Sequence, residues 1–517
     1  MARLLNRPVV TALLLILFGL TVRLVFSSTV YKYFIDDAYI TMRYAENFAR
    51  GDGLVYNVGE RVIGFTSPLF QSLLAAAKYL FQGVSTRLLQ SVFNYGFFAI
   101  AAWFAIQLFL RRHLLCAVPV LLLLYFPYID ATLSGLETTL VLAVIFGTLH
   151  LLAQERYGPA IVLATVSILV RPEGVFFLAL VGLFAVIKGK QLYWKSVLLG
   201  AALLAVWVCS TYAYYGSVLA QSMLAKSAHV TQAAWGGFST SPWDKNVLLA
   251  FGFSDISYVN WSGSTRLFLV VFALLGVALL CFSLVQNFRE GSFLLIPPAF
   301  YLCAWAFYVA GQPIRIFSWY TIPTSLCFFI AVLDGCTRLI ERIGWRIPRP
   351  LTMAAFALAC IGSIAFALPH RADYLKRKLP EMERFAAYVG AIPGAKSIML
   401  GDIGLVGYTS GLRVIDSVGL VSTGVLNLAP PGEMGYLSDL LRREQPSVVC
   451  LESDPATQTV IKQSERQYHT FRDAAEAEAF HARYERLPIP AGRYTHVYIE
   501  RTLLQASRAA GQLPPSQ

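Results

Sequence analysis

The sequence predicts a polytopic α-helical membrane protein, with about eleven transmembrane helices and a small C-terminal α/β domain outside the membrane. Three observations predict it. First, 56% of the 517 residues are hydrophobic and only 14% are charged, with a mean hydropathy of +0.58; a soluble chain carries roughly a quarter charged residues. Second, apolar runs long enough to cross a bilayer recur from residue 8 to 368. Third, beyond His370 the composition turns polar. The net charge of +12 does not point to nucleic acid, because Lys and Arg punctuate the apolar segments as they do in cytoplasmic loops.

The first segment, Pro8 to Ser28, follows Arg3 and Arg7, contains Arg23 and lacks a small-x-small cleavage site. It reads as a retained anchor rather than a signal peptide, with its N-terminus inside. Placing the basic clusters Arg111–Arg112–His113, Arg156, Lys188/Lys190/Lys195, Arg289 and Arg338/Arg342/Arg346/Arg349 inside separates spans at about 88–110, 114–128, 134–152, 157–170, 173–187, 194–215, 266–286, 293–311, 319–340 and 350–368. An odd total puts the C-terminal part outside. Thr66 to Gln82 is apolar but breaks this charge pattern if it crosses, so it is expected to lie on or dip into the outer face; the alternative is that it crosses and Arg111–His113 faces outward. The polar motifs FIDDAYI, GERVIGFTSP, LSGLETT, VRPEG and GQPIRIFSWYTIP all fall on the outer side. Polar groups gathered at one end of a helical bundle imply a cavity there.

Asp36 and Asp37 are the most informative pair. Residues Asp36 to Arg50 read as an amphipathic helix closed by Gly51 in the left-handed conformation, with Ile40, Tyr44 and Phe48 as an apolar stripe suited to the membrane interface. One acid suffices to cap the helix; the second is unexplained, and acids at a membrane boundary are functional by default. In Asn57 to Pro68, turn chemistry precedes a helix with Ser67 as N-cap and Pro68 as its first residue. Glu60 and Arg61 are an exposed pair, or Arg61 holds a phosphate with its planar fork. Glu137 and the tetrad Arg171-Pro-Glu173-Gly interrupt apolar segments; Arg171 and Glu173 are a structural ion pair or a site. Arg315 is a further cation at the outer rim, and Trp319 and Tyr320 beside it suit an interfacial belt, a prenyl chain or a sugar ring.

The eight cysteines show no paired spacing, so neither a disulfide framework nor a zinc site is expected. In the C-terminal part, residues 397–402, 413–418 and 447–452 read as strands and Met434 to Glu444 as a helix. The expected organisation is a membrane domain at 1–370, with its first outer loop at about 29–66, an extracytoplasmic α/β domain at 371–505, and a disordered tail at 506–517. Gly401-Asp-Ile-Gly404 is not a dinucleotide fingerprint, and Walker A, HExxH and GxSxG motifs are absent.

The ordered set DDAYITMRYAENFARGDGLVYNVGERVIGFTSPL, SGLET, RPEG, WYTIP and GDIGLVGYTSGLRVIDSVGL resembles the GT-C superfamily of membrane glycosyltransferases, and within it bacterial arabinofuranosyltransferase-like proteins. The N-terminal half and the start of the soluble domain carry the likeness; the middle spans match only in hydropathy. The resemblance implies an inverting transfer of a sugar, with arabinofuranose a candidate, from a polyprenyl phosphate donor to a glycan, lipid or protein acceptor at the outer face of a bacterial inner membrane. It places the essential aspartate of the first outer loop at Asp36 or Asp37, here Asp36 as base and Asp37 as a positioning or metal ligand. No cofactor is required, though a divalent metal on Asp36 and Asp37 is a candidate. An inverting transfer needs a base for the acceptor hydroxyl and positive charge for the leaving phosphate; Arg61, Arg171 and Arg315 are the candidates for the second role, with Glu60, Glu137, Glu173, Trp319 and Tyr320 supporting. The competing reading is a transporter or flippase of lipid-linked saccharide, which favours polar residues at the midplane and internal repeats; no repeat is visible. A membrane scaffold is a further alternative, and it leaves the acidic pair idle.

Overall fold

The computed structural model describes residues 7–231, 263–310, 318–425, 436–451, 462–463, 468–469, 471, 473–487 and 496–509. Its membrane part contains α1 (Arg7–Thr29), α2 (Asp36–Arg50), α3 (Pro68–Leu80), α4 (Thr86–Phe109), α5 (Ala117–Leu124), α6 (Phe126–Leu133), α7 (Thr138–Ala153), α8 (Tyr157–Val170), α9 (Gly174–Gly189), α10 (Trp194–Tyr215), α11 (Gln221–Thr231), α12 (Gly263–Glu290), α13 (Ile296–Trp305), α14 (Ser318–Arg342) and α15 (Arg349–Asp373). Among the described residues α1, α4, α10, α12, α14 and α15 each contain a stretch long and apolar enough to cross a bilayer. The bent pair α5–α6 makes a seventh if it is one span, and α7, α8, α9 and Phe293–Tyr308 are shorter apolar helices. Every expected span thus coincides with an apolar helix or helix pair. The segment that does not fit the charge pattern is α3, only 13 residues and about 20 Å long. It packs against α2.

The break between α5 and α6 has a local cause and a long-range consequence. Tyr125 is extended and Pro127 opens α6, so the carbonyls of Leu122 and Leu123 lose their intrahelical donors. Arg23, fully buried on α1, supplies them. Its guanidinium donates to Leu123 O (2.9 Å), Leu122 O (2.9 Å), Gly19 O (3.1 Å), Tyr128 O (3.3 Å) and Thr132 Oγ1 (2.9 Å), and it lies 3.5 Å over the Phe98 ring. All five N–H donors of the side chain are used, which makes a cation inside a span tolerable.

The basic loops meet one another. Arg349 donates to the carbonyl of Arg111 (3.0 Å), His113 accepts from the Ile347 N–H (3.2 Å), Arg112 lies over Phe293 (5.3 Å), and Lys188 packs against Gly291. The polar motifs gather elsewhere, around α2.

The C-terminal part begins with α16 (Leu379–Gly390) and contains β1 (Ser397–Leu400), α17 (Gly404–Ser410), β2 (Arg413–Asp416), α18 (Tyr436–Glu444), β3 (Val448–Leu451), β4 (Lys462–Gln463), β5 (Tyr468–His469), α19 (Ala474–Arg483), β6 (Tyr484–Leu487), β7 (His496–Glu500) and α20 (Arg501–Ala509). Five strands form a sheet in the order β2-β1-β3-β7-β6, parallel at β2-β1-β3 and antiparallel at β3-β7-β6. The three expected strands are β1, β2 and β3. The antiparallel half lacks a sequence signal beyond short apolar runs. Residues 506–509, expected to be disordered, are helical: α20 buries Leu504 and Ser507.

The hydrophobic core behind the sheet also takes in Phe34, Ile35, Tyr39, Ile40, Tyr44 and Tyr56 from the segment between α1 and α3. The expected membrane-interface stripe is corrected accordingly. Ile40 and Tyr44 are buried against protein, and Phe48 alone of the three is exposed. Gly51 does close α2 with φ +90°. Cysteines introduced at Ser85 and Ala479 are expected to react with a membrane-impermeant maleimide from one side of the membrane and a cysteine at Lys195 from the other. Labelling of all three from one side would contradict the packing of the basic loops.

Candidate active site

Four polar residues of the segment between α1 and α3 hold the C-terminal part by its backbone. Arg43 donates to the carbonyls of Tyr56 (2.8 Å), Gly407 (2.5 Å) and Leu412 (2.7 Å). Tyr56 donates to Ile403 O (2.5 Å). Asn57 pairs with both backbone groups of Val414, accepting from its N–H (3.0 Å) and donating to its carbonyl (2.9 Å), so it closes the open edge of β2 like one residue of a further strand. The fourth is Asp36.

Asp36 does not cap its own helix. Ile35 occupies that position and makes no side-chain cap. The Asp36 carboxylate instead accepts from the N–H groups of Gly404 (2.9 Å) and Leu405 (2.8 Å), at the start of α17 and just past the carboxyl end of β1. Both oxygens are thereby engaged by donors at a helix N-terminus. The approach is close enough that a Cβ at position 404 would lie 1.8 Å from the Asp36 carbonyl oxygen, which is why the GDIG turn carries glycine there. Burial, then the nearby Asp402, push this carboxyl up to about 7, against the pull of the Leu405 N–H.

Asp37, one position on, is turned about 100° round the helix and lines a cleft of about 60 Å³ with Gly64, Ser67, Glu137, Ser222, Lys226, Trp319, Tyr320 and Leu420. That volume holds a few water molecules. Burial raises the Asp37 carboxyl; Lys226 draws it back, while Asp402 and Glu137 push it further up. Lys226 donates to the Tyr320 hydroxyl (3.2 Å) and lies over the Trp319 and Tyr320 rings (6.0 and 5.7 Å). Burial lowers the lysine, but Tyr320 and Asp37 outweigh it and the net shift is upward, so Lys226 remains charged. The hydroxyls of Ser67 and Ser222 are buried and lack a hydrogen-bond partner among the described residues. Orphaned hydroxyls beside an acid and an ammonium mark a place for a polar ligand.

The remaining expected residues divide. Arg171 is 1% exposed, bonds Glu173 (2.5 Å) and Glu137 (2.9 Å) and stacks over Tyr320 (4.4 Å). It is a structural ion triad directly behind the cleft rather than part of its lining. Arg61 lies outside this cleft, over the Tyr214 ring (4.8 Å), and Glu60 pairs with Arg413 (2.6 Å) instead of with Arg61. Arg315 lies outside the described residues. Trp319 and Tyr320 do line the cleft. The donor set does not suit a divalent metal shared by the two aspartates: Asp36 is spent on two N–H groups, and among the described residues no three potential ligands converge. The residue missed in the sequence is Lys226, in a weakly patterned segment where a lone lysine among polar residues carries no signal.

The fold resembles that of ArnT. Two crystal structures of ArnT from Cupriavidus metallidurans match: one bound to undecaprenyl phosphate, with TM-score 0.58 and 11% identity over 94% of this chain and 98% of that one, and one in the apo state, with TM-score 0.56 and 12% identity over 99% and 100%. The likeness is therefore one of fold across nearly the whole of both chains, and it matches the GT-C-like layout expected from the sequence motifs. A family model described as a domain of unknown function (DUF8728) matches residues 369–498. No curated protein matches.

The two charges of the cleft give a pH expectation. If ionised Asp37 is the working form, activity rises with pH, and its acid limb lies above the ordinary carboxylate range because the folded protein raises that group. Lys226→Gln removes the charge that draws Asp37 down, so the limb moves to higher pH whatever the remaining rate. A pH–rate profile of kcat/KM with an unmoved limb, or one moved to lower pH, would show that Asp37 is not the titrating group.

Proposed function

We propose that the chain is an inverting glycosyltransferase that moves a sugar from a polyprenyl phosphate to a cell-envelope acceptor at the outer face of the bacterial inner membrane. The observation that carries this reading is the convergence of Asp37, Lys226 and the two unpartnered hydroxyls of Ser67 and Ser222 on one cleft at the polar end of the helical bundle. The fold shared with ArnT, one of whose structures is bound to undecaprenyl phosphate, supports the donor class. The sequence resemblance to arabinofuranosyltransferase-like proteins supports a pentofuranose as the sugar.

The chemistry balances within the cleft. The acceptor hydroxyl attacks the anomeric carbon from the face opposite the phosphate, and the Asp37 carboxylate takes its proton. The bond from the anomeric carbon to the phosphate oxygen breaks, and the electron pair leaves with the polyprenyl phosphate. Lys226 neutralises that anion, with the Tyr320 hydroxyl beside it, so no general acid is needed. Ser67 and Ser222 satisfy their hydroxyls on the phosphate or the sugar. Asp36 takes no proton in this scheme; it fixes α2 against α17.

The test is incubation of the purified full-length protein with a panel of polyprenyl-phospho-sugars and envelope fractions, followed by mass analysis of the acceptors. Asp37→Asn keeps the side-chain size and removes the base, so transfer is expected to fall by 10²- to 10⁴-fold with an unchanged unfolding temperature. Wild-type turnover in Asp37→Asn would overturn the assignment.

A further inference from the structure

A second, larger cavity of about 440 Å³ lies where the outer loop meets the C-terminal sheet. Its size falls in the range of ordinary ligand sites, roughly 300–1,000 Å³. Its polar wall is a ladder of alternating charge. Glu60 accepts from Arg413 Nε (2.6 Å), Arg413 Nη1 donates to Glu444 (2.9 Å), and Glu444 accepts from Arg443 Nε (2.9 Å). The two carboxylates and two of the guanidiniums are paired along the ladder, and Arg61, the third guanidinium on the wall, lies over the Tyr214 ring. At contact it offers acceptors and donors side by side, which is what a polyol needs, since each hydroxyl both donates and accepts. Ser422 and Thr423 add hydroxyls to the wall, and its apolar part, from Val62, Ile415, Val425 and Leu440, matches the C–H face of a sugar ring.

The cavity abuts the cleft. Val62 lines the first and Gly64 the second; Ser422 lines the first and Leu420 the second. Each pair is two residues apart, at most about 7 Å along the chain. The residues between them in sequence, Ile63 and Val421, are buried, and the Val421 side chain packs against Gly64.

We infer that this cavity is the acceptor subsite, and that it takes a neutral oligosaccharide whose terminal unit reaches over the Ile63–Val421 rib to Asp37. The inference rests on the transferase reading for its role in the reaction, but binding itself does not. The site belongs jointly to the outer loop and the C-terminal sheet, so acceptor choice is written in residues 60–62 and 413–444 rather than in the membrane helices.

The experiment uses the full-length Asp37→Asn protein, in which turnover is expected to be 10²- to 10⁴-fold slower. It titrates this protein with neutral oligosaccharides of two to six units from arabinan, galactan and mannan, and separately with inorganic phosphate. At least one oligosaccharide is expected to bind, and Glu444→Gln is expected to weaken it by tenfold or more. Thr423→Trp, at an exposed position on the cavity wall, fills the space without touching the ladder and is expected to do the same with an unchanged unfolding temperature. Binding of phosphate in place of sugar, binding of no oligosaccharide, or full affinity in both variants overturns the inference. In the Asp37-intact protein the same two variants are expected to raise KM for the acceptor and leave KM for the donor alone. An unchanged acceptor KM with normal transfer sinks the subsite and spares the transferase. Persistent, variant-sensitive oligosaccharide binding without transfer from any donor supports the subsite and sinks the transferase.

Discussion

The arrangement depends on one contact: the Asp36 carboxylate against the N-terminus of α17. Hydrogen bonds from a helix N-terminus to a charged acceptor are among the stronger ones, about 1.5–3 kcal/mol each. Here they join two parts of the chain more than 360 residues apart in sequence. With Asp36 held, α2 cannot rotate, and the next residue must face the cleft. An acid pair on consecutive helical positions points in two directions about 100° apart. That geometry explains why two acids are present: one anchors and the other is left for the ligand. Arg43, Tyr56 and Asn57 extend the same principle, each satisfying backbone groups of the C-terminal part that a free-standing sheet would leave to water.

Buried charge in the helical bundle follows a second rule. An ionisable group there is costly unless paired, and Arg23 and Arg171 meet that cost differently. Arg23 uses all five donors, on the two carbonyls freed by the α5–α6 break, on the carbonyls of Gly19 and Tyr128, and on the Thr132 hydroxyl. Arg171 sits between Glu137 and Glu173 at the α8–α9 break. In both places a proline interrupts the helix; Arg23 satisfies the carbonyls this frees, whereas Arg171 is balanced by two carboxylates. Glu137 nonetheless reaches the cleft from behind, and through it the triad bears on the charge state of Asp37.

Much of this was legible in the sequence because it is local. Gly51 needs only the conformational freedom of glycine, Ser67-Pro68 only the restricted backbone of proline, and β1, β2 and β3 only short apolar runs between turns. What was not legible is long-range. Nothing near Asp36 says that its partner is the backbone at 404–405, so the sequence favours Asp36 over Asp37 as base while the structure puts Asp37 in the cleft. The stripe Ile40, Tyr44 and Phe48 has the spacing of a membrane-facing helix, yet two of its members are buried against protein, Tyr44 beside Tyr56 and Phe65 and Ile40 at the cleft. Periodicity shows that a face is apolar, not what covers it. Lys226 has no motif, and its importance comes only from the fold bringing α11 to α2 and α14.

Amide hydrogen–deuterium exchange of Asp36→Asn and Asp37→Asn tests the division of labour between the two acids most directly. In Asp36→Asn, faster exchange is expected across residues 403–410, where the N-terminus of α17 has lost its anionic acceptor, and across 418–421 of the neighbouring loop. In Asp37→Asn, exchange in those segments is expected to match the wild type. Equal protection of residues 403–410 in all three proteins, or greater loosening in Asp37→Asn, would contradict the assignment of Asp36 as the anchor.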